Sequence, residues 1–333
     1  MSKRTFEYNE ATREKVPLLV GLFGPSGGGK TYSALRLATG IQRVNGGEIA
    51  VVDTEARRSL HYADKFKFRH VPFAPPFGPL DYLAAIEHCV AKGASVVVVD
   101  SMSHEHEGPG GVLEMHQAEV ERMSGGDARK AERVKIGAWA KPKAERQRLI
   151  NTMLQLPCSF ILCFRAKEKL KVEVGKQPVG MGFMPIGDPT FVFEMMLSCL
   201  LLPGAGGVPT WQPNEIGEKM MIKLPLQFRP LLATSKPLDE SIGEEMARWA
   251  AGEAVGPFAE LLDAIRGASS PATLEALVPR LTEIKEKKSL PPAEYNALRA
   301  AYAERKNALK APEETYEGDP DTGEIPLREP GED

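Results

Sequence analysis

Residues 18–32 read LLVGLFGPSGGGKTY: an apolar run, a glycine-rich turn and the start of a helix. The turn matches the pattern GxxxxGK followed by Ser or Thr, in which backbone amides converge on a phosphate at the positive end of a helix. The alternative is a flexible glycine-rich turn that matches the pattern by chance. We predict a nucleotide-binding loop formed by Gly24, Pro25, Ser26, Gly27, Gly28, Gly29, Lys30, Thr31 and Tyr32.

Apolar runs that alternate with helical patterns predict an α/β fold for most of the chain. We expect strands at Leu18–Phe23, Glu48–Asp53, Phe68–Phe73, Ser95–Asp100, Ser159–Phe164, Glu194–Leu202 and Met220–Leu224. We expect helices between them at Lys30–Gln42, Leu80–Lys92, Gly111–Met123 and Lys141–Leu156. Short apolar strands that alternate with helices are typical of a mostly parallel central sheet with helices on both faces.

One predicted strand leads directly into a carboxylate. The four valines at positions 96–99 precede Asp100, so this aspartate follows a strand that is apolar on both faces. We expect this strand to lie beside the strand that precedes the glycine-rich loop. Asp100 is then predicted to hold Mg²⁺ together with the Thr31 hydroxyl, and Lys30 is predicted to reach the β- and γ-phosphates. A surface aspartate that merely ends a core strand is the alternative.

A second carboxylate follows the strand that ends at Asp53. Glu55 stands two residues beyond that strand, at the sheet edge where open α/β sheets bind their ligands. We predict that Glu55 is a general base or orients the attacking water. The alternative is a solvated glutamate paired with Arg57 or Arg58.

Together these motifs resemble the core of RecA-type P-loop ATPases. The strand–GPSGGGKT–helix unit, the VVDTE strand end and the VVVVDS strand carry the resemblance, which covers about residues 17–230. The segments DTEARRSLHYAD, DSMSHEHEG and FILCFRAKEK make the chain similar to phage-encoded RecA-like ATPases, the group that includes single-strand-annealing recombinases. The resemblance implies ATP and Mg²⁺ as ligands, hydrolysis with Glu55, Lys30 and Asp100 as catalytic residues, and action on single-stranded DNA.

The same resemblance implies a homo-oligomer in which nucleotide lies between neighbouring subunits of a ring or filament. The segment after the strand at Ser159–Phe164 would then supply trans-acting cations, and Arg165, Lys167 and Lys169 are in position. A solvated basic loop, or a loop that contacts DNA, is the alternative. The γ-phosphate sensor of the family would fall at Phe164 or Arg165, where no polar amide stands.

Two long stretches correspond to the loops that face DNA in RecA-like cores. Residues 121–148 hold nine basic residues against four acids and include Trp139, and residues 167–188 are glycine-rich with four lysines. Basic residues interleaved with an aromatic suit a surface that follows a nucleic-acid strand, whereas residues 141–148 could equally form the solvated face of a helix. The candidate DNA contacts are Arg129, Lys130, Arg133, Lys135, Lys141 and Lys143.

Composition narrows the class of protein. The chain of 333 residues is 42% hydrophobic, begins with a polar segment and has no apolar run near the ~18 residues that cross a bilayer. We therefore expect a cytoplasmic protein without a membrane partner, in the host cytoplasm if it is phage-encoded. The four cysteines form no CxxC pair, which argues against a disulfide framework or a cysteine zinc site. His104, His106 and His116 do not have the spacing of a common zinc site.

Composition also predicts a leader (1–16), an α/β core (17–232), a helical domain (233–311) and a disordered acidic tail (312–333). In the helical domain, helices are expected at Phe258–Gly267, Pro271–Lys287 and Pro291–Leu309. The tail has nine acids against Arg328, and its net charge of −8 leaves +5 on the rest of a chain whose total is −3. The tail could recruit a single-strand-binding or replication protein, mimic DNA, or serve solubility alone. The rival functions are a replication or packaging motor or loader, and a non-hydrolysing nucleotide switch that recruits partners.

Overall fold

In the computed structural model, the described residues are 8, 16–171, 177, 179–213, 215–232, 235–253, 257–287, 290 and 292–309. The chain divides into two compact units, residues 1–256 and residues 257–333. Sequence analysis placed the boundary earlier, at 232–233, whereas the helix at Glu240–Ala250 belongs to the first unit. The predicted acidic tail and most of the predicted leader lie outside the described residues.

The first unit is built on a mostly parallel sheet, as predicted. In the described part of the chain it has seven strands: β1 (Leu19–Gly24), β2 (Glu48–Asp53), β3 (Arg69–Pro72), β4 (Ala94–Asp100), β5 (Ser159–Lys171), β6 (Val179–Pro185) and β7 (Leu197–Leu200). The order is β3-β2-β4-β5-β1-β7, with parallel pairing throughout this path. The strand β6 pairs antiparallel with the extension of β5.

Helices join the strands and cover both faces of the sheet. In the first unit they are α1 (Lys30–Asn45), α2 (Pro79–Ala91), α3 (His104–Glu107), α4 (Val112–Ser124), α5 (Ala128–Val134), α6 (Ala140–Met153), α7 (Pro189–Glu194), α8 (Ile216–Lys219), α9 (Arg229–Leu232) and α10 (Glu240–Ala250). None of the helices in the described ranges is both long and apolar enough to cross a membrane.

The sheet separates two hydrophobic cores, and strand β4 contributes to both. Val96 and Val98 pack with α1 and α10, while Val97 and Val99 pack with α2 and α6. Successive side chains of a strand point to opposite faces, so four consecutive valines bury completely only in a central strand covered on both sides. The prediction that this strand is apolar on both faces is confirmed. Because the strand is buried on both sides, Asp100, its last residue, is held at the carboxyl end of β4.

Helix α10 belongs to the first unit because it packs against α1. Asp239 caps the start of the helix, because its Oδ1 accepts a hydrogen bond from the backbone nitrogen of Ile242 at 3.0 Å. Arg36 of α1 donates through Nη2 to Glu240 Oε2 at 2.6 Å, and Met246 is buried in the shared core. Helix α1, which follows the glycine-rich turn, is therefore held from its outer side.

Three sequence-based strand predictions need correction. The predicted strand Glu194–Leu202 is shorter in the structure, where it is β7 (Leu197–Leu200), and Glu194 is the last residue of α7. The segment Met220–Leu224 forms no strand, and only Lys223 makes an isolated bridge, to Ser198. Strand β5 continues past its predicted end and forms a hairpin with β6, where glycine-rich loop had been expected.

The second unit is helical, with α11 (Pro257–Gly267), α12 (Pro271–Glu275), α13 (Val278–Lys287) and α14 (Pro292–Ala308). Ser270 begins α12 with a capping box, in which its hydroxyl accepts from the Thr273 backbone nitrogen at 3.2 Å. Its small core includes Leu261, Ile265 and Leu298. The helix expected over residues 271–287 is two helices in the structure, α12 and α13.

Candidate functional site

A cavity of about 640 Å³ lies at the carboxyl edge of the sheet, where β1, β2 and β4 end and β5 continues past them. The parallel register pairs Gly24 with Arg165 and Asp53 with Asp100, so the strand ends lie side by side. Residues far apart in the chain are thereby brought together, as the fold class predicts for a ligand site. The lining residues are Ser26, Gly27, Gly29, Lys30, Thr31, Glu55, Arg58, His61, Tyr62, Asp100 and Arg165.

The glycine-rich turn forms one wall of the cavity and leads into α1. Gly29 caps the helix in the left-handed conformation, with φ of +86°, which disfavours residues with a side chain. At Gly28 an added Cβ would lie 2.4 Å from the carbonyl oxygen of Leu201, so only glycine fits against the end of β7. The other two glycines of the predicted loop are constrained in the same ways: a Cβ at Gly24 would lie 2.2 Å from the Leu201 carbonyl oxygen, and Gly27 takes φ of +80°.

Lys30 is the first residue of α1 and lies nearly buried, with 9% exposure. Its Nζ donates to the backbone oxygens of Gly24 and Pro25, at 2.9 and 2.8 Å. Burial lowers the pKa of the Lys30 ammonium group, while the negative charge of Asp100 acts in the opposite direction. The turn thus holds a cation on the cavity wall by its own carbonyl groups.

Thr31 and Asp100 meet at the same wall. The Thr31 hydroxyl donates to Asp100 Oδ2 at 2.5 Å. Burial raises the pKa of Asp100 to about 6, against the opposing effect of the Thr31 hydrogen bond. Hydroxyl and carboxylate oxygens are ligands that Mg²⁺ accepts, and this ion commonly takes only one or two protein ligands beside substrate phosphates and water. The pair fits that mode, although no group of three or more His, Cys, Asp or Glu in the described ranges could hold a metal alone.

A tight turn positions Glu55 after β2. Asp53 accepts hydrogen bonds from the backbone nitrogens of Glu55 and Ser59, at 2.8 and 3.0 Å, and from the Ser59 hydroxyl at 2.5 Å. Burial alone would raise the pKa of Asp53, but these hydrogen bonds outweigh it and lower the pKa. Ala56 and Arg57 adopt φ of 54° and 66°, a conformation that costs about 1–3 kcal/mol per residue and clusters at functional sites.

The Glu55 carboxylate is held by two arginines. Arg165 donates through Nε and Nη2 to Oε1, at 2.8 and 2.6 Å, and Arg58 donates through Nη1 to Oε2 at 3.3 Å. The side chain of Glu55 is only 12% exposed. Pairing with Arg57 or Arg58 was the sequence-based alternative for Glu55. The structure shows the pair with Arg58, in which both residues line the cavity although the Arg58 side chain is 68% exposed. Arg165, a candidate trans-acting cation, lines the cavity of its own chain.

The 3₁₀ turn Arg58–Tyr62 supplies three lining residues, of which sequence reasoning named only Arg58, as a partner of Glu55 and not as part of a ligand site. Arg58, His61 and Tyr62 follow Glu55 directly, and their position at the carboxyl edge of β2 was the available signal. Tyr32, which was predicted to bind nucleotide, packs its ring against Tyr62 with centroids 5.7 Å apart. Tyr62, rather than Tyr32, reaches the cavity lining among these residues.

The other candidate cations lie on the surface. Lys167 and Lys169 are exposed on β5, and Lys167 lies 3.7 Å from Glu107. Trp139 is half-buried, with its ring stacked on that of His116 at 4.0 Å between centroids. The candidate DNA contacts on and around α5 and α6 are all exposed: Arg129, Lys130, Arg133, Lys135, Lys141 and Lys143. We call these six residues the α5–α6 cation surface.

Arg146 differs from its basic neighbours because it is buried, with 4% exposure. Its guanidinium donates to both carboxylate oxygens of Glu105, at 2.8 and 2.9 Å, to Asp188, and to His106 Nδ1 at 3.1 Å. Arg146 is therefore not part of a DNA-facing surface. Both carboxylate oxygens of Glu105 accept from Arg146, and Glu105 is not among the residues that line the cavity.

Replacing Arg146 by Met is expected to lower the free energy of unfolding by about 3–5 kcal/mol, because Glu105 would remain buried without its partner. Urea unfolding followed by circular dichroism at pH 7 measures the change. The matched control is Arg148→Met, an exposed arginine on the same helix, which should shift the value by less than about 0.5 kcal/mol. Equal effects for the two variants would contradict a structural role for the buried pair.

No model of a known protein family matches the chain, and no curated protein shows significant similarity to it. The function must therefore be inferred from the chemistry of the site. That chemistry combines a glycine-rich turn with a nearly buried lysine, a threonine–aspartate oxygen pair, and a carboxylate held by two arginines.

Proposed function

We propose that the protein is a RecA-like P-loop ATPase that binds ATP, hydrolyses it with Mg²⁺, and acts on single-stranded DNA in annealing or recombination. One observation supports the catalytic part above all others. Lys30, the Thr31–Asp100 pair and Glu55 come from three separate strand ends, yet they line a single cavity. Chance similarity in a glycine-rich turn gives no reason for the other groups to meet there.

The phosphates of ATP would bind to the glycine-rich turn. Backbone amides at the start of α1 and the helix dipole attract the phosphate oxygens, and Lys30 neutralises charge on the β- and γ-phosphates. Thr31 and Asp100 would hold Mg²⁺, which supplies positive charge to the phosphate oxygens when bound. Tyr62 offers an aromatic face in the same cavity, of the kind on which a nucleobase packs.

Glu55 would act on the water. In hydrolysis a water oxygen bonds to the γ-phosphorus, the bond to the bridging oxygen breaks, and ADP leaves with that electron pair. Glu55 accepts the proton that the water loses. The hydrogen bonds that Asp53 accepts from the backbone nitrogens of Glu55 and Ser59 fix the turn that carries the carboxylate, so the water would be oriented without further rearrangement of the backbone.

DNA would bind on the α5–α6 cation surface. Its six exposed side chains can pair with the phosphates of a strand, and an oligomer in the form of a ring or filament would repeat the surface along the strand. Trp139 contributes less to base stacking than the sequence suggests, because its ring already stacks on His116. Binding should therefore depend on charge more than on base identity.

Single-stranded DNA is expected to stimulate the ATPase, and its affinity should fall steeply with salt. If all six cations contact phosphates, the affinity falls roughly 300-fold between 50 and 200 mM salt, because bound counterions are released. Turnover measured with and without DNA at both salt concentrations tests this. A triple variant, Arg129→Gln with Lys130→Gln and Arg133→Gln, should flatten the salt dependence, whereas Lys67→Gln with Lys92→Gln, elsewhere on the surface, should not.

Other outcomes point to the rival functions. ATP-driven strand separation or translocation would indicate a motor or loader instead of an annealing protein. Tight ATP binding with negligible turnover, unchanged by DNA, would indicate a nucleotide switch.

A further inference from the structure

Both oxygens of the proposed catalytic carboxylate are occupied. Glu55 Oε1 accepts two hydrogen bonds from Arg165, and Oε2 accepts one from Arg58. Three of the roughly four acceptor positions of the carboxylate thus face guanidinium groups, which hinders it from orienting a water molecule and taking its proton. The nucleotide-free arrangement therefore blocks the chemistry that the same residue would perform.

The backbone of Arg165 is held firmly at the glycine-rich turn. Its Cα pairs with that of Gly24 in the β1–β5 register, at the first residue of the turn. Its backbone nitrogen donates to the Ser103 hydroxyl at 2.8 Å, which in turn donates to the Ile186 carbonyl oxygen at 2.6 Å. Ile186 completes the ring by donating its own backbone nitrogen to the Arg165 carbonyl oxygen at 2.8 Å. The backbone of Arg165 is thus fixed in position, and its guanidinium group reaches the cavity of its own chain.

The guanidinium itself is free to change partner. The side chain of Arg165 is 37% exposed and that of Arg58 is 68% exposed, so neither is packed in place. A γ-phosphate carries more negative charge than one carboxylate and offers oxygens that match the guanidinium fork. A triphosphate bound to the turn would compete with Glu55 for Arg165.

We propose that Arg165 acts in its own chain as a substrate-gated catalytic residue: it blocks Glu55 in the nucleotide-free protein and moves to the γ-phosphate when a nucleoside triphosphate binds. The inference rests on the proposed function and adds a regulatory step to it. The exchange releases Glu55 to accept the proton of the attacking water, and it brings a cation to the oxygens on which charge develops. ADP lacks the γ-phosphate, so it leaves the Arg165–Glu55 pair intact.

A mixing experiment tests whether Arg165 acts in its own chain. Arg165→Ala should retain ADP binding while its single-turnover hydrolysis rate falls roughly 10³-fold, the range seen when such a cation is removed. Arg165→Lys, which keeps the charge but loses the fork, should recover part of the rate. Mixed with Lys30→Ala, whose Arg165 is intact but whose own loop is disabled, Arg165→Ala should stay inactive. Restored turnover in the mixture would show that a neighbouring subunit supplies the cation and would overturn the proposal.

A binding experiment tests the block on Glu55. Removing the carboxylate in Glu55→Ala frees Arg165, so the affinity for ATP should rise about 10-fold while the affinity for ADP stays within about 2-fold. Equal changes for the two nucleotides would overturn the exchange. If Arg165→Ala hydrolyses ATP at the wild-type rate, this inference is overturned but the proposed function is not. Wild-type protein that binds no ATP would overturn the proposed function and this inference together.

Discussion

Lys30→Ala is expected to abolish ATP turnover and to weaken ATP binding strongly, without unfolding the protein. The ammonium group lies on the cavity wall, where it donates to two carbonyl oxygens of the turn. With ATP bound to the turn, the same group would contact the β- and γ-phosphates. Its loss removes a full positive charge from a largely buried site, where electrostatic contacts are strongest. We expect kcat/KM to fall at least about 10³-fold, which corresponds to about 4 kcal/mol of transition-state stabilisation.

Phosphate release measured at saturating Mg²⁺ over a range of ATP concentrations, together with equilibrium binding of a fluorescent ATP analogue, checks this expectation. The matched control is Lys67→Ala, an exposed lysine outside the cavity lining, which should behave as wild type. Thermal unfolding of both variants separates a functional loss from a loss of folded protein. Unchanged turnover in Lys30→Ala would contradict the assignment of the glycine-rich turn as a phosphate loop.

The elements that sequence predicted best are those that short local patterns determine. The apolar run before the turn, the glycines and the valines before Asp100 each specify a strand or a turn without reference to distant residues. The carboxyl-edge rule then places Lys30, Asp100 and Glu55 near one another once a parallel sheet is assumed. This much of the site follows from the sequence because strand ends in a parallel sheet share an edge.

The remaining parts of the site depend on strand order and burial, which single residues do not reveal. Arg165 pairs with Glu55 across 110 positions only because β5 lies between β4 and β1. Arg146 looks like one more surface cation in a basic stretch, yet its partner Glu105 lies 41 positions away and buries it. A count of basic residues does not separate buried from exposed side chains. It therefore overestimated the basic surface and missed the buried pair of Arg146 and Glu105.

The hairpin of β5 and β6 shows a different limit. Glycines in the segment after β5 suggested an irregular loop, whereas one of them, Gly182, takes φ of +66° where the β5–β6 register shifts. A glycine in that conformation allows an extra residue in one strand without ending the pairing. A glycine-rich segment is thus compatible with an irregular loop and with a bulged β-hairpin, and local composition alone does not distinguish them.

Glu55→Gln is expected to keep ATP binding and lose hydrolysis. The amide has nearly the same size as the carboxylate, so the turn held by Asp53 and Ser59 should persist, but an amide oxygen does not take a proton from water at neutral pH. Loss of a general base typically lowers the rate by about 10²–10⁴-fold. Single-turnover hydrolysis and ATP affinity, measured on the same preparation, separate the two effects.

The matched control for Glu55→Gln is Glu107→Gln. Glu107 is more exposed than Glu55, with 31% of its side chain accessible; it lies 3.7 Å from a lysine, Lys167, and is not among the residues that line the cavity. Its substitution should leave both binding and turnover near wild type. If Glu55→Gln remains active, the base lies elsewhere in the cavity; if it loses binding together with turnover, Glu55 shapes the site rather than acting on water. If Glu55 is a base oriented by the turn after β2, Glu55→Gln should retain ATP binding and lose turnover. The carboxylate would contact the attacking water and not the phosphates that hold ATP in place.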